Sequence, residues 1–154
     1  MKKVLIFGAG GFVGQYLAQE FIKHDYTVVG TDESERGNLP ESIPFFKANL
    51  LDVTAVEQLI ADTAPDMIIN LAAVSSVGMS WKNPQMTISI NVNGALNIIE
   101  SAMKCVKRPK ILLIGSSEEY AASGKPINEF DPLNANNPYG ISKMKQELFA
   151  KLYR

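Results

Sequence analysis

The sequence predicts an α/β fold built on a doubly wound parallel sheet, and three observations predict it. Short apolar runs alternate with stretches of helical periodicity from one end of the chain to the other, the pattern of parallel strands joined by right-handed crossover helices. The apolar runs are nearly continuous, as expected of strands covered on both faces. A cluster of glycines stands at the first strand-to-helix junction, where such sheets receive ligands.

The elements follow in order. Lys3 to Gly8 (KVLIFG) reads as the first strand, and Phe12, Val13, Tyr16, Leu17 and Phe21 recur at helical spacing to about His24. YTVVGTD is a second strand and IPFFKAN a shorter third. Val53, Val56, Leu59 and Ile60 mark a helix that ends before APD, and DMIINLAAV is a fourth strand. After Pro84 a longer helix is expected, with Ile88, Val92, Ala95, Ile99, Met103 and Val106 on one stripe. KILLIGSS is the fifth strand, with Ser116 and Ser117 at its end. GKPINEFDPLNANNP is a Pro/Asn-rich loop, and Tyr139 opens the last helix. No internal repeat or low-complexity segment interrupts this order.

The chain has 154 residues, enough for one domain with a real core and too few for two. Its 15 Lys+Arg against 16 Asp+Glu leave a formal charge of −1, so it lacks the basic field that nucleic acid or an anionic membrane needs. A small-molecule partner is expected. The single cysteine, Cys105, has no internal disulfide partner, suits a reducing compartment, and reads as a small core residue in a helix-like stretch. The opening MKKVLIFGAGGF has two lysines and an apolar run, but Gly8, Gly10, Gly11 and Gly14 interrupt it too early for a signal peptide or a membrane span. A cytoplasmic protein is the expectation. His24, the one histidine, reads as a solvated cap of the first helix, and Trp81 and the methionines as packing residues. No metal site is expected.

GAGGFVG places Gly8, Gly11 and Gly14 three apart. A pyrophosphate at a helix N-terminus needs backbone N–H groups with no Cβ in the way, and the third glycine lets helix and strand pack closely. Asp32 ends the second strand, where a carboxylate accepts hydrogen bonds from both hydroxyls of a ribose and repels a 2′-phosphate. That favours NAD. Arg36, four residues on, leaves NADP open if its guanidinium turns to a phosphate.

Tyr139 and Lys143 lie one helical turn apart, on one face of the last helix. An ammonium beside a phenol stabilises the phenolate and makes it a usable acid or base. A serine at the carboxyl end of the fifth strand faces the ligand crevice of such a sheet, where its hydroxyl can hold a substrate oxygen.

GAGGFVG, NLAAVSSV, GSSEEY and NPYGISK, in this order, resemble the extended short-chain dehydrogenase/reductases, the family of NAD-dependent nucleotide-sugar epimerases and dehydratases with a Rossmann-like fold. SSVGMSWKNPQMTISINVNGALNIIE and IGSSEEY are most similar to the branch holding GDP-mannose 4,6-dehydratase and the reductase of GDP-4-keto-6-deoxymannose. The resemblance implies that Tyr139 is the general acid or base, that Lys143 binds the nicotinamide ribose, and that Ser116 orients the substrate. It places Gly8, Gly11, Phe12, Val13 and Gly14 along the pyrophosphate, Asp32 on the adenosine ribose, and Asn49 and Leu50, where the family has Asp-Leu, beside the adenine. Leu71, Ala72 and Ala73 would lie along the cofactor; Asn70 stands where the family often has His. Glu118 falls where the dehydratases keep the glutamate that helps eliminate water from the sugar, whereas Ser116 stands where they usually have threonine.

The implied activity is hydride transfer at a sugar C4, with a GDP-4-keto-6-deoxy-sugar reductase as the leading expectation. A 4,6-dehydratase or 4-epimerase of the same family is the alternative, and a non-catalytic dinucleotide-binding fragment the second. Family members continue through further strands and a C-terminal substrate-binding region. The chain is therefore expected to be the N-terminal part of a longer enzyme, inactive alone, whose unpaired fifth-strand edge leads to a homodimer, to reduced solubility or to disorder of the last helix.

Overall fold

The computed structural model describes residues 1–121 and 123–153. In chain order the elements are β1 (Lys3–Phe7), α1 (Phe12–Lys23), β2 (Thr27–Asp32), β3 (Phe45–Lys47), α2 (Val53–Thr63), β4 (Met67–Asn70), α3 (Val77–Lys82), α4 (Pro84–Ile88), a π-helical turn (Ser89–Asn93), α5 (Gly94–Met103), β5 (Lys110–Leu113), a 3₁₀ turn (Ser117–Glu119) and α6 (Pro138–Leu152). They fall into two compact units: Met1–Ala72 with Asn97–Leu113, and Ala73–Leu96 with Ile114–Arg154.

The first unit holds the whole sheet, which is parallel throughout and ordered β3-β2-β1-β4-β5. Because successive side chains of a strand point to opposite faces, the near-continuous apolar runs feed two separate cores. Leu5, Phe7, Val29 and Ile68 pack on one face against Val56, Leu59 and Ile60 of α2 and Ile98 and Ala102 of α5. Val4, Ile6, Val28 and Ile69 pack on the other against Ala18 of α1 and against Leu39 and Ile43 from the segment after β2. The chain leaves β1 outward through β2 and β3, and then returns to build β4 and β5 on the other side. The order thus reverses beside β1, where the crevice of a doubly wound sheet opens. β5 has only β4 as neighbour among the described residues, and Leu112 on it is half exposed.

The second unit is organised by buried polar side chains. Asn91, fully buried in the π-helical turn, accepts the N–H of Val74 at 2.8 Å and donates to the Val74 carbonyl at 3.1 Å and to Ser142 Oγ at 2.8 Å. Ser142 in turn donates to the Tyr139 carbonyl, and Ser80 Oγ accepts the Tyr139 N–H at 3.1 Å. Asn137 caps α6 by accepting the Gly140 N–H at 2.8 Å, with Pro138 at the first helical position, where a missing N–H costs nothing.

Four expectations are corrected. The long helix after Pro84 is α4, a π-helical turn and α5; it closes at Met103 because the N–H groups of Lys104 and Cys105 fall back on the Ser101 and Ala102 carbonyls. Val106 is therefore off the stripe and fully exposed, and Cys105 lies just past the helix, half-buried against the core. SSVGMSW forms α3, capped by Ser76, and Trp81 on it is largely exposed rather than packed. β4 ends at Asn70, whose Oδ1 accepts the Ala72 N–H and turns the chain out of the ladder. β5 ends at Leu113, so both serines lie beyond the strand, Ser116 as the N-cap of the 3₁₀ turn and Ser117 as its first residue. Among the described residues, no helix is long and apolar enough to cross a membrane and no acid, His or Cys cluster is placed to hold a metal.

Candidate active site

In the first unit, the turn between β1 and α1 is built around glycines that no other residue replaces without strain. Gly8 has φ +77°, and a Cβ there would lie 2.6 Å from Ala72 N. A Cβ on Gly14 would lie 2.3 Å from the Ala9 carbonyl oxygen, and one on Gly10 2.3 Å from that of Glu35. Gly8 thus meets the Leu71–Ala72 backbone, a contact the glycine spacing does not announce. Gly11 is the N-cap of α1 and offers no side-chain acceptor, whereas Asp52, Ser76 and Asn137 cap α2, α3 and α6. The first N–H groups of α1 therefore have no side-chain acceptor, the arrangement that suits a helix N-terminus to an anion. Beside them Phe12 and Val13 are 77% and 54% exposed, and the Phe12 ring meets the Tyr16 ring edge-on at 5.5 Å.

Asp32 stands at the end of β2. Its Oδ2 accepts the Gly10 N–H at 3.2 Å, and its Oδ1 accepts both the N–H and the hydroxyl of Ser34. One lone pair of Oδ2 remains for a ligand hydroxyl. Arg36 turns into its own segment: its guanidinium donates to the carbonyls of Pro40 (2.8 Å) and Ile43 (3.3 Å) and lies 5.4 Å over the Phe45 ring. Asn49 donates to Glu33 through Nδ2 and accepts the Leu51 N–H through Oδ1. Leu50 buries its side chain in the core, so only its backbone can meet a ligand. Leu71 is half-buried, with its N–H on the Phe7 carbonyl.

In the second unit, Ala73 is half-buried, and Ser116, Tyr139 and Lys143 are linked through the 3₁₀ turn and α6. Ser116 caps the turn: its Oγ accepts the Glu118 N–H at 3.2 Å, which leaves its own hydrogen free to donate. Lys143 is only 4% exposed, and its Nζ donates to the Ile114 carbonyl at 2.9 Å, leaving two N–H donors. Burial lowers the Lys143 pKa, and the charge of Glu119 opposes that fall. Gly140 lets α6 approach the turn, since a Cβ there would lie 2.2 Å from the Glu118 carbonyl oxygen.

Glu118 is exposed and accepts from Asn137 Nδ2 at 2.7 Å. The carboxylate that turns inward is its neighbour Glu119, 3% exposed, whose Oε1 accepts the Ser116 N–H at 2.7 Å. Burial raises the Glu119 pKa and Glu147 raises it further, while the Ser116 N–H and Lys143 pull it down. Nothing local distinguishes the two adjacent glutamates. Asn91 carries no expectation from the sequence either, although an amide inside an apolar helical face is a signal for a buried polar bridge. The Asn-Pro pairs before α4 and α6 likewise mark helix starts.

Comparison with known proteins bears on the family. A UDP-glucose 4-epimerase from Lactobacillus helveticus is 30% identical across 94% of this chain and 45% of its own length. Protein CapI from Staphylococcus aureus is 30% identical across 98% of this chain and 49% of its own length. The crystal structure of a Thermus thermophilus UDP-glucose 4-epimerase in complex with NAD superposes with a TM-score of 0.89 at 26% identity, covering 98% of this chain and 50% of that one. The chain spans about half the length of the curated relatives it matches. The GDP-mannose branch expected from IGSSEEY is not represented among these relatives, which include UDP-glucose 4-epimerases. The model of the NAD dependent epimerase/dehydratase family matches residues 4–154; the chain belongs to that family.

Proposed function

We propose that the chain binds NAD at the β1–α1 turn and that Ser116, Tyr139 and Lys143 handle the proton in hydride exchange at C4 of a nucleotide sugar, with 4-epimerisation as the outcome. The observation that carries the cofactor assignment is the bare N-terminus of α1 above glycines that cannot take a Cβ. The names of the relatives favour a UDP-hexose and epimerisation over the reductase expected from the sequence.

Gly11, Phe12 and Val13 present backbone N–H groups to the pyrophosphate, and Gly8 and Gly14 leave it room. Asp32 takes a ribose hydroxyl through the free lone pair of Oδ2. When bound, NAD supplies the acceptor and donor of hydride. Tyr139, as phenolate, removes the proton of the C4 hydroxyl during oxidation and returns it to the C4 oxygen on reduction. The Ser116 hydroxyl donates to that oxygen as its charge changes. Lys143 uses its two remaining N–H donors to hold the nicotinamide ribose and to favour the phenolate.

Reduction of a GDP-4-keto-6-deoxy-sugar is the second reading, supported by the IGSSEEY segment. Dehydration draws less support, because Glu118 is engaged with Asn137. Calorimetry with NAD+ tests the cofactor assignment, and absence of heat refutes it. Supplied with NAD+, the full-length protein should interconvert UDP-galactose and UDP-glucose. Oxidation of NADH by GDP-4-keto-6-deoxymannose, without that interconversion, would transfer the assignment to the reductase. Tyr139→Phe should lower either rate by about 10²- to 10⁴-fold.

A further inference from the structure

Arg36 is the one basic side chain of the segment between β2 and β3, the function above leaves it unused, and its contacts are internal. Three features fasten this segment. Leu39 and Ile43 are buried in the core on the α1 face, and Leu39 sits where a Cβ on Gly30 would come within 2.7 Å of it. The Arg36 guanidinium bridges the Pro40 and Ile43 carbonyls and covers Phe45. Finally, the Glu35–Gly37 backbone rests directly on the phosphate-binding turn. A Cβ on Gly37, at φ +57°, would lie 2.2 Å from the Gly10 carbonyl oxygen, and one on Gly10 would strike the Glu35 carbonyl. Asp32 completes the contact by accepting the Gly10 N–H.

We infer that Arg36 is a positioning residue: it staples residues 36–45 into one shape, and that shape seats the Glu35–Gly37 backbone on Gly10 and holds the glycine turn ready for a dinucleotide. The inference rests on the NAD assignment above for its ligand, not for the staple itself. A planar fork spans two carbonyls and stacks on a ring in a way that an ammonium does not. Because the guanidinium is committed, it does not receive a 2′-phosphate, and Asp32 and Glu33 stand beside the ribose position with no free cation in their own segment to offset them. The choice of NAD over NADP therefore rests on Asp32 and not on Arg36.

The test compares Arg36→Ala and Arg36→Lys with the parent chain, by calorimetry with NAD+ and NADP+ and by amide exchange at Gly10 and Gly11 without coenzyme. If the variant turn holds its competent shape about one-tenth of the time, both coenzymes bind about tenfold more weakly. The expected result is that loss for both, an unchanged NAD+/NADP+ ratio, faster exchange at both glycines, and no rescue by lysine. Were the arginine purely stabilising, its replacement would lower the unfolding midpoint and leave exchange at Gly10 and Gly11 unchanged below it. Loss of NADP+ affinity alone, full rescue by lysine, or unchanged glycine exchange overturns the inference. Absence of NAD+ binding by the parent together with faster exchange in Arg36→Ala would refute the cofactor assignment and leave the staple standing.

Discussion

Replacing Gly14 by alanine pits helix propensity against packing, and the structure decides the sign. Inside a helix, Gly→Ala ordinarily stabilises by about 0.5–1 kcal/mol, because glycine loses more backbone freedom on folding. At Gly14 the new Cβ would lie 2.3 Å from the Ala9 oxygen, 2.6 Å from its carbonyl carbon and 2.6 Å from its Cα. All three are backbone atoms of the turn that follows β1, so no rotamer change relieves the clash. Restoring an ordinary contact requires α1 to move off the strand by about 1 Å, an overpacking strain of about 1–3 kcal/mol or more. Packing outweighs propensity. Gly14→Ala should be destabilised by about 1–2 kcal/mol net and should lose NAD+ affinity, because the N-terminal N–H groups move with the helix. Gly78, also helical, is the control: a Cβ there has its nearest neighbour at 3.9 Å, so Gly78→Ala should gain about 0.5–1 kcal/mol. Urea unfolding followed by circular dichroism measures both. A Gly14→Ala chain as stable as the parent, or two glycines that respond alike, would refute the reasoning.

Asn91→Leu removes three hydrogen bonds from the second unit at nearly constant volume. At about 1 kcal/mol each the loss is about 3 kcal/mol, read by the fluorescence of Trp81 in urea; a change within about 0.5 kcal/mol would show that the bridge is not structural. Glu119 should give stability a pH signature. Its folded pKa is raised above the ordinary 4.5, so the folded state binds the proton more tightly, and stability falls as pH rises from 4.5 through the folded value. Glu119→Gln should flatten that fall. Lys143 has the opposite sign: its folded pKa is lowered from 10.5, so the unfolded state binds more protons between the two values and stability rises with pH there. Lys143→Met should abolish that alkaline rise, and an unchanged profile would count against a buried ammonium.

The sheet class was legible because it is written in local repeats. Near-continuous apolar runs such as VLIF and MIIN require both faces covered, and the side-chain period of two delivers Leu5 and Phe7 to one core and Val4 and Ile6 to the other. The glycine turn and Asp32 were legible for the same reason, since their demands on backbone geometry are set within a few residues of chain. The break in the helix after Pro84 was not, because five residues of π-helical turn shift the apolar register while Gly94, which follows them, keeps helical dihedrals and marks no stop.

What the sequence by itself determined is the order and type of the strands and the shape of the first turn, both consequences of neighbours along the chain. Only the tertiary structure decided which of two adjacent glutamates is buried, that Arg36 is spent on the Pro40 and Ile43 carbonyls, and that Lys143 reaches the carbonyl of Ile114. The physical reason is that a polar group's state depends on desolvation and on the partner that replaces water. For Lys143 that partner stands 29 residues away, and for Asn91 the partner hydroxyl of Ser142 stands 51 away.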